Sequence, residues 1–191
     1  MEDMKKFNKC FQIGFNKCGT TSLHDMFKAA GLKSAHWGGG HYASCIDFNV
    51  ANKRALLDGI NAPDCYTDII NYWNDSYPLI KYFKILDKQY PSSIFIMNTR
   101  DIDKWVVSRK NFSGSILCTT AMHHFKVNSV EHVEQIWKAQ YESHVQNVRE
   151  YFQESDRFCE FRIETEGEKV EKFMERWGVS GCVFPHSHKT Q

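Results

Sequence analysis

The segment that most constrains the fold is residues 11–23, where a short apolar stretch leads into a loop and then a helix. The loop contains Gly14, Lys17 and Gly19, and three hydroxyl side chains follow them. Four apolar residues then recur at helical spacing: Leu23, Met26, Phe27 and Ala30. Glycines allow backbone N–H groups to close around an anion, and a helix N-terminus adds partial positive charge. The segment therefore predicts a strand–loop–helix that binds a phosphate group.

The position of the lysine in this loop separates two classes of phosphate site. The loop of nucleoside triphosphatases has the pattern G-x-x-x-x-G-K-[ST], in which the lysine follows the second glycine. Here Gly14 and Gly19 keep that spacing, but two threonines follow, and Lys17 lies inside the loop. The lysine is therefore misplaced for a triphosphatase. The candidate ligand-binding residues of the loop are Asn16, Lys17, Cys18, Gly19, Thr20, Thr21 and Ser22.

A second candidate anion site lies downstream, where an apolar strand ends in Arg100 and Ser108 follows eight residues later. The two motifs together resemble those of the P-loop sulfotransferases, which use 3′-phosphoadenosine 5′-phosphosulfate (PAPS) as sulfuryl donor. The resemblance implies that the loop binds the 5′-phosphosulfate and that Arg100 and Ser108 bind the 3′-phosphate. It covers residues 11–108 with specific motifs and the rest of the chain in outline.

The resemblance also implies a reaction and a fold. A P-loop NTPase-like sulfotransferase of the compact, microbial type would move a sulfuryl group in line, without a metal, to a hydroxyl or amine of a small molecule or glycan. Lys17 would neutralise the charge on the leaving 3′-phosphoadenosine 5′-phosphate (PAP). The Arg-Lys-Gly segment by which larger relatives contact the 3′-phosphate is absent, and Lys126, Arg162 or Lys189 could replace it.

Apolar strand segments alternate with amphipathic helices, which predicts an α/β fold with about five parallel strands flanked by helices. The predicted strands are 10–13, 34–37, 65–70, 93–98 and 158–163. The predicted helices are 20–30, 50–58, 79–90, 103–110, 129–152 and 166–177. We expect one domain over residues 1–191, in which 180–191 is a partly ordered tail that docks through Val183 and Phe184.

Composition restricts the class of partner and the compartment. A net charge of +1 argues against general binding to nucleic acid or to an anionic membrane. Seven scattered cysteines without a C-x-x-C pair suggest neither a zinc site nor a disulfide framework. The N-terminus lacks the apolar region of a signal peptide, and no segment reaches the length of a membrane span. We therefore expect a cytoplasmic protein, and its oligomeric state stays open.

The group that takes the acceptor's proton is a histidine or a carboxylate near the sulfuryl group. His36 is the first candidate, because it ends the second predicted strand beside a run of three glycines. Asp68, on the third predicted strand, is the second candidate, and His41 is the third. Residues 38–49 and 111–126 are expected to border the acceptor.

Two other functions fit parts of the pattern. A P-loop kinase for a small molecule or nucleotide would need magnesium, and the misplaced Lys17 argues against it. A non-catalytic module that binds PAP or PAPS would keep the donor site and lack a working base. The adjacent His123 and His124 have no third ligand nearby in the sequence, so no metal site is predicted, and Trp105 is expected in the core.

Overall fold

The computed structural model describes residues 5–185 and contains a five-stranded sheet. The strands are β1 (Cys10–Gln12), β2 (Ser34–His36), β3 (Cys65–Thr67), β4 (Ile94–Thr99) and β5 (Phe158–Arg162). They are arranged in the order β2-β3-β1-β4-β5, and each neighbouring pair is parallel. The predicted α/β fold with about five parallel strands is therefore confirmed.

Seven α-helices connect and cover these strands within the described residues. They are α1 (Thr20–Ala29), α2 (His41–Ala51), α3 (Pro78–Gln89), α4 (Ile102–Lys110), α5 (Ile116–Phe125), α6 (Val130–Phe152) and α7 (Gly167–Arg176). The three glycines before α2, residues 38–40, form a single 3-10 turn. None of the described helices has the length and apolar composition needed to span a bilayer.

Three elements differ from the sequence prediction, and the first is α2, because no helix was predicted over 41–49. A helix over 50–58 is wrong, because α2 ends at Ala51 and the chain then turns. The Asn49 side chain donates to the carbonyl oxygens of Leu56 and Asp58 at 3.0 and 2.9 Å, which stabilises that turn over a helix. Helix α5 was not predicted, and it occupies much of the segment that was expected to border the acceptor.

The sheet is buried on both faces, which explains why its strands are almost wholly apolar. On one face, Leu23 and Phe27 of α1 and Phe173 of α7 pack against it. On the other, α4 and α6 contribute Trp105 and Trp137, which are completely buried. The core position expected for Trp105 is observed, and both faces leave the carboxyl ends of the strands free for a site.

The chain after α7 returns to the sheet. Phe184 is buried, and its ring lies 5.1 Å from that of Phe161 on β5. Its backbone N–H donates to Glu171 Oε1 at 2.7 Å, whereas Val183 is exposed. Docking of the tail therefore uses Phe184. The last six residues of the tail, 186–191, lie outside the described residues.

Candidate active site

A cavity of about 730 Å³ lies at the carboxyl ends of the strands, and it brings most of the predicted site residues together. Its predicted members are Asn16, Lys17, Gly19, Thr20, Thr21, Ser22, His36, Asp68, Arg100 and Ser108. Cys18 is completely buried, and its side chain packs in the core. Ligands of doubly wound sheets bind at this edge, so the cavity is the candidate active site.

The carbonyl oxygens of the loop between β1 and α1 accept hydrogen bonds from side chains around it. The carbonyls and their donors are Ile13 with His144 Nε2 (2.7 Å), Gly14 with Gln12 Nε2 (2.6 Å), Asn16 with Trp105 Nε1 (2.9 Å), Lys17 with Arg100 Nη1 (3.1 Å) and Cys18 with Asn98 Nδ2. Because these bonds occupy the oxygens, an anion at the loop meets N–H groups instead. This is the arrangement of an anion-binding nest.

The two glycines of the loop are required for different reasons. A Cβ at Gly14 would lie 2.3 Å from Asn98 Oδ1, so no side chain fits there. Gly19 has a φ of 76° and precedes α1, which begins without a side-chain cap. The first N–H groups of α1 are therefore available to a phosphate, and the positive end of the helix dipole faces the cavity.

Lys17 lies at the centre of the loop with a φ of 63°, a left-handed conformation that is uncommon outside glycine. Its ammonium group lies 4.2 Å from the centroid of the Phe112 ring. Burial lowers the pKa of Lys17; the charge of Asp68 opposes this, and that of Arg100 adds to it. The cavity thus holds a lysine close to a carboxylate and an aromatic ring.

Asp68 follows β3 and also has a positive φ, 51°, which turns the chain out of the strand. Its N–H donates to Gln12 Oε1 at 2.9 Å, and Tyr72 donates to its Oδ2 at 3.4 Å. Its Oδ1 is shielded from water and has no hydrogen-bond partner in the described residues. Burial raises the pKa of Asp68 to about 6, against the opposing effects of Tyr72 and Lys17. At neutral pH it is a carboxylate that is more basic than usual.

His36 ends β2, and its tautomer follows from its partner. Thr67 donates its hydroxyl proton to the carbonyl of Ala35 at 3.0 Å, so its oxygen accepts from His36 Nδ1, also at 3.0 Å. The lone pair of His36 is therefore on Nε2. Burial, together with a smaller electrostatic effect of His24, whose ring stacks at 4.9 Å, lowers the pKa of His36 to about 4. His36 is thus a weak base. His41 does not line the cavity; it lies beside Cys45 on α2.

Arg100, which precedes α4, and Ser108, which belongs to α4, also line the cavity. The backbone N–H and C=O of Arg100 both bond to the Tyr141 hydroxyl, at 2.9 Å each. Its Nε lies 3.6 Å from Glu164 Oε1, and Ser108 Oγ has no hydrogen-bond partner in the described residues. A cation and an unpartnered hydroxyl that line the same cavity form a group that can bind an anion.

The structure also assigns cavity positions that the sequence analysis missed. Lys104 lines the cavity between Arg100 and Ser108, four residues from each, a helical spacing that was visible in the sequence. Neither Lys126 nor Arg162 lines it, and Lys189 lies outside the described residues. Lys104 is thus an additional cation of the cavity.

Further cavity residues come from separate parts of the chain. They are Trp37, Tyr72, Phe112, Ile163, Glu164, Phe184 and Pro185. No residue of 38–49 lines the cavity, and Phe112 is the one that does from 111–126. Most of both segments belongs to α2 and α5, which corrects the expectation that they border the acceptor.

Arg109 supports the loop from behind and was not predicted. Its side chain is 1% exposed and donates to Asn16 Oδ1 at 3.2 Å and to the Tyr77 hydroxyl at 2.8 Å. The guanidinium also lies 4.2 Å from the centroid of Trp137. No signal in the sequence separates this buried arginine from a surface residue of α4.

The similarity of the chain to known proteins identifies its family, and the composition of the site bears on metal binding. Across residues 5–185, no group of three or more His, Cys, Asp or Glu side chains is arranged to hold a metal ion. No significant match was found among curated proteins. A model of the sulfotransferase domain matches residues 9–125, which include the loop, Asp68, Arg100 and Ser108. The match extends over more than half of the chain, and the chain therefore belongs to the sulfotransferase domain family.

Proposed function

We propose that this protein is an enzyme that uses PAPS as its sulfuryl donor. The observation that carries the proposal is the presence of two anion-binding groups in one cavity. One is the loop with Lys17 and the N-terminus of α1, and the other is Arg100 with Lys104 and Ser108. A 3′,5′-bisphosphorylated nucleoside has two anionic groups, and family membership supports sulfuryl transfer as the reaction class.

The donor would lie across the carboxyl ends of β1 and β4. Loop N–H groups and the hydroxyls of Thr20 and Thr21 would bind the 5′-phosphate, and Arg100 and Ser108 would bind the 3′-phosphate. Ile163 and Phe184 line the cavity next to Gly19, and they offer the nucleoside an apolar surface. Lys17 would neutralise charge on the leaving phosphate oxygen, where a preorganised cation is most effective.

The acceptor needs a base, and the contacts favour Asp68 over His36. β3, which precedes Asp68, pairs directly with the loop-bearing β1, whereas β2 is one strand further away. Asp68 interacts electrostatically with Lys17, and its pKa of about 6 makes it the stronger base of the two. We therefore propose Asp68 as the base. The assignment of this role to His36 stays a competing prediction.

The two alternative functions make different demands on the site. A kinase would need groups for magnesium, and the loop lysine occupies a different position from that of nucleoside triphosphatases. A non-catalytic binding module would need no base, whereas the cavity contains Asp68, a carboxylate with an unusually high pKa. Both observations support the transferase.

PAP is expected to stabilise the protein in the presence of EDTA. At a PAP concentration about 100 times its dissociation constant, binding linkage predicts roughly 2.7 kcal/mol of added stability. Differential scanning fluorimetry with PAP, and with ATP plus magnesium, measures the effect. A shift with ATP and magnesium but none with PAP would favour the kinase.

Arg100→Ala is expected to remove most of the preference for PAP over AMP. A charge-assisted hydrogen bond contributes about 1.5–3 kcal/mol, or roughly 10- to 150-fold in affinity. Titration calorimetry with both nucleotides measures the preference, and Arg162→Ala, which changes an arginine outside the cavity, is the matched control. An equal loss for PAP and AMP would assign Arg100 a structural role.

A further inference from the structure

Three aromatic side chains line the cavity on the side of Asp68, and neither the donor nor the base requires them. They are Trp37, Tyr72 and Phe112, which we call the aromatic wall. The Trp37 and Tyr72 ring centroids are 5.5 Å apart, and those of Tyr72 and Phe112 are 6.0 Å apart. Lys17 Nζ lies 4.2 Å from the centroid of the Phe112 ring. The wall thus runs continuously from the cavity mouth to the lysine.

The outer end of the wall is Trp37, and its position depends on an unusual backbone conformation. Trp37 directly follows β2 with φ 50° and ψ −64°, a region that residues other than glycine rarely occupy. Its N–H donates to the carbonyl of Thr67 at 3.3 Å, and the residue is 41% exposed. A large apolar ring in a strained conformation at the mouth of a cavity indicates a binding role.

Several of the polar side chains beside the wall belong to the proposed donor-binding segment, namely Asn16, Lys17 and Thr20. His36 and Asp68 are the candidate bases, and Lys17 is the group proposed to neutralise the leaving phosphate. The Tyr72 hydroxyl already donates to Asp68. A glycan has many hydroxyls, each of which needs a partner when it leaves water. An acceptor with one hydroxyl and a flat apolar body matches these surroundings better.

The pKa values of the two candidate bases also favour an acceptor with a single, acidic hydroxyl. Burial holds the pKa of Asp68 at about 6 and that of His36 at about 4. A phenolic hydroxyl, with a pKa of about 10 as in tyrosine, is far more easily deprotonated by such groups than an alkyl hydroxyl, whose pKa lies well above that of a phenol. The site is therefore better matched to an aromatic hydroxyl than to an alkyl hydroxyl.

We infer that the acceptor is a phenol, whose ring packs against the aromatic wall and whose oxygen points to Asp68 and Lys17. The inference rests on the proposed sulfuryl transfer. The phenol O–H proton passes to the Asp68 carboxylate while the phenol oxygen forms a bond to the donor's sulfur. The bond between that sulfur and the phosphate oxygen breaks, and its electron pair stays on the phosphate beside Lys17.

Four acceptors separate the contribution of the ring from that of the hydroxyl. 2-Naphthol has both features, 2-naphthylmethanol has the ring with an alkyl hydroxyl, decahydro-2-naphthol has the shape without the ring, and methyl glucoside represents a sugar. Sulfated product from PAPS is quantified by mass spectrometry. We expect kcat/KM for 2-naphthol to exceed that of each other acceptor by at least about 100-fold, the size of a typical proton-transfer contribution.

Two tryptophan variants test the wall itself. Trp37→Leu is expected to raise the KM for 2-naphthol by about 3- to 10-fold, the range of one aromatic pair, and to leave the thermal shift with PAP unchanged. Trp73→Leu is the matched control, because Trp73 is 77% exposed and does not line the cavity. It is expected to leave both measurements unchanged.

Other outcomes would overturn the inference. Equal transfer to decahydro-2-naphthol or methyl glucoside would reject the phenol, as would an unchanged KM in Trp37→Leu. If PAP stabilises the protein but 2-naphthol receives no sulfate, the acceptor class is wrong and the donor site stands. If PAP gives no stabilisation, the proposed function itself fails, and the inference fails with it.

Discussion

Asp68→Asn is expected to lower kcat by about 10²–10⁴-fold, the range for loss of a general base. The amide keeps the size of the carboxyl group and cannot accept the proton. His36→Ala is expected to have a much smaller effect, because its ring lies one strand further from the loop and has a pKa of about 4. Steady-state kinetics with both variants, alongside PAP titrations, measures the difference.

The pH profile distinguishes the two bases independently of mutation. Activity requires the deprotonated form, so kcat/KM rises with pH through the pKa of the base in the free enzyme. With Asp68 as base, the rise is centred near pH 6, and with His36 it is centred near pH 4. A midpoint near pH 4 that disappears in His36→Ala would reject Asp68.

The melting temperature of Asp68→Asn shows whether a loss of activity comes from the missing carboxylate or from unfolding. The pKa of Asp68 is raised in the folded state, so ionisation of this carboxyl opposes folding above that pKa. The neutral amide removes this effect, and the melting temperature at pH 7 is expected to be maintained or to rise. If the variant instead unfolds, the loss of activity says nothing about the base, and the pH profile decides between the two residues.

Lys17→Ala is expected to lower kcat by about 10²–10³-fold, equivalent to roughly 2.7–4 kcal/mol for one preorganised group at developing charge. PAP affinity should fall much less, because the charge of Lys17 matters most while the bond from sulfur to phosphate breaks. Single-turnover rates with PAPS and calorimetry with PAP separate the two effects.

Lys104→Ala is the matched control for Lys17→Ala. It removes another lysine that lines the same cavity, on α4 and four residues after Arg100. We expect this variant to weaken PAP binding and to change the single-turnover rate little. Equal losses of PAP affinity and rate in Lys17→Ala would indicate that the lysine contributes only to binding.

Local pattern was sufficient to predict the fold class and the loop that lines the cavity. The alternation of buried strands with amphipathic helices predicted the parallel sheet, and residues 14–22 predicted the loop at the end of its first strand. Arg100 and Ser108, which the family resemblance singled out, both line the same cavity. Such features depend on neighbours in the chain and are therefore visible in the sequence.

The tertiary structure decided what depends on contacts between distant residues. The donors to the loop carbonyls include Asn98, Arg100 and His144, which are up to 131 residues from their acceptors, and no local pattern marks them. The pKa values that rank Asp68 above His36 arise from burial, which exists only after folding. The aromatic wall likewise forms because parallel strands bring the chain segments after β2 and β3 to one edge of the sheet, where Phe112, after α4, packs against Tyr72.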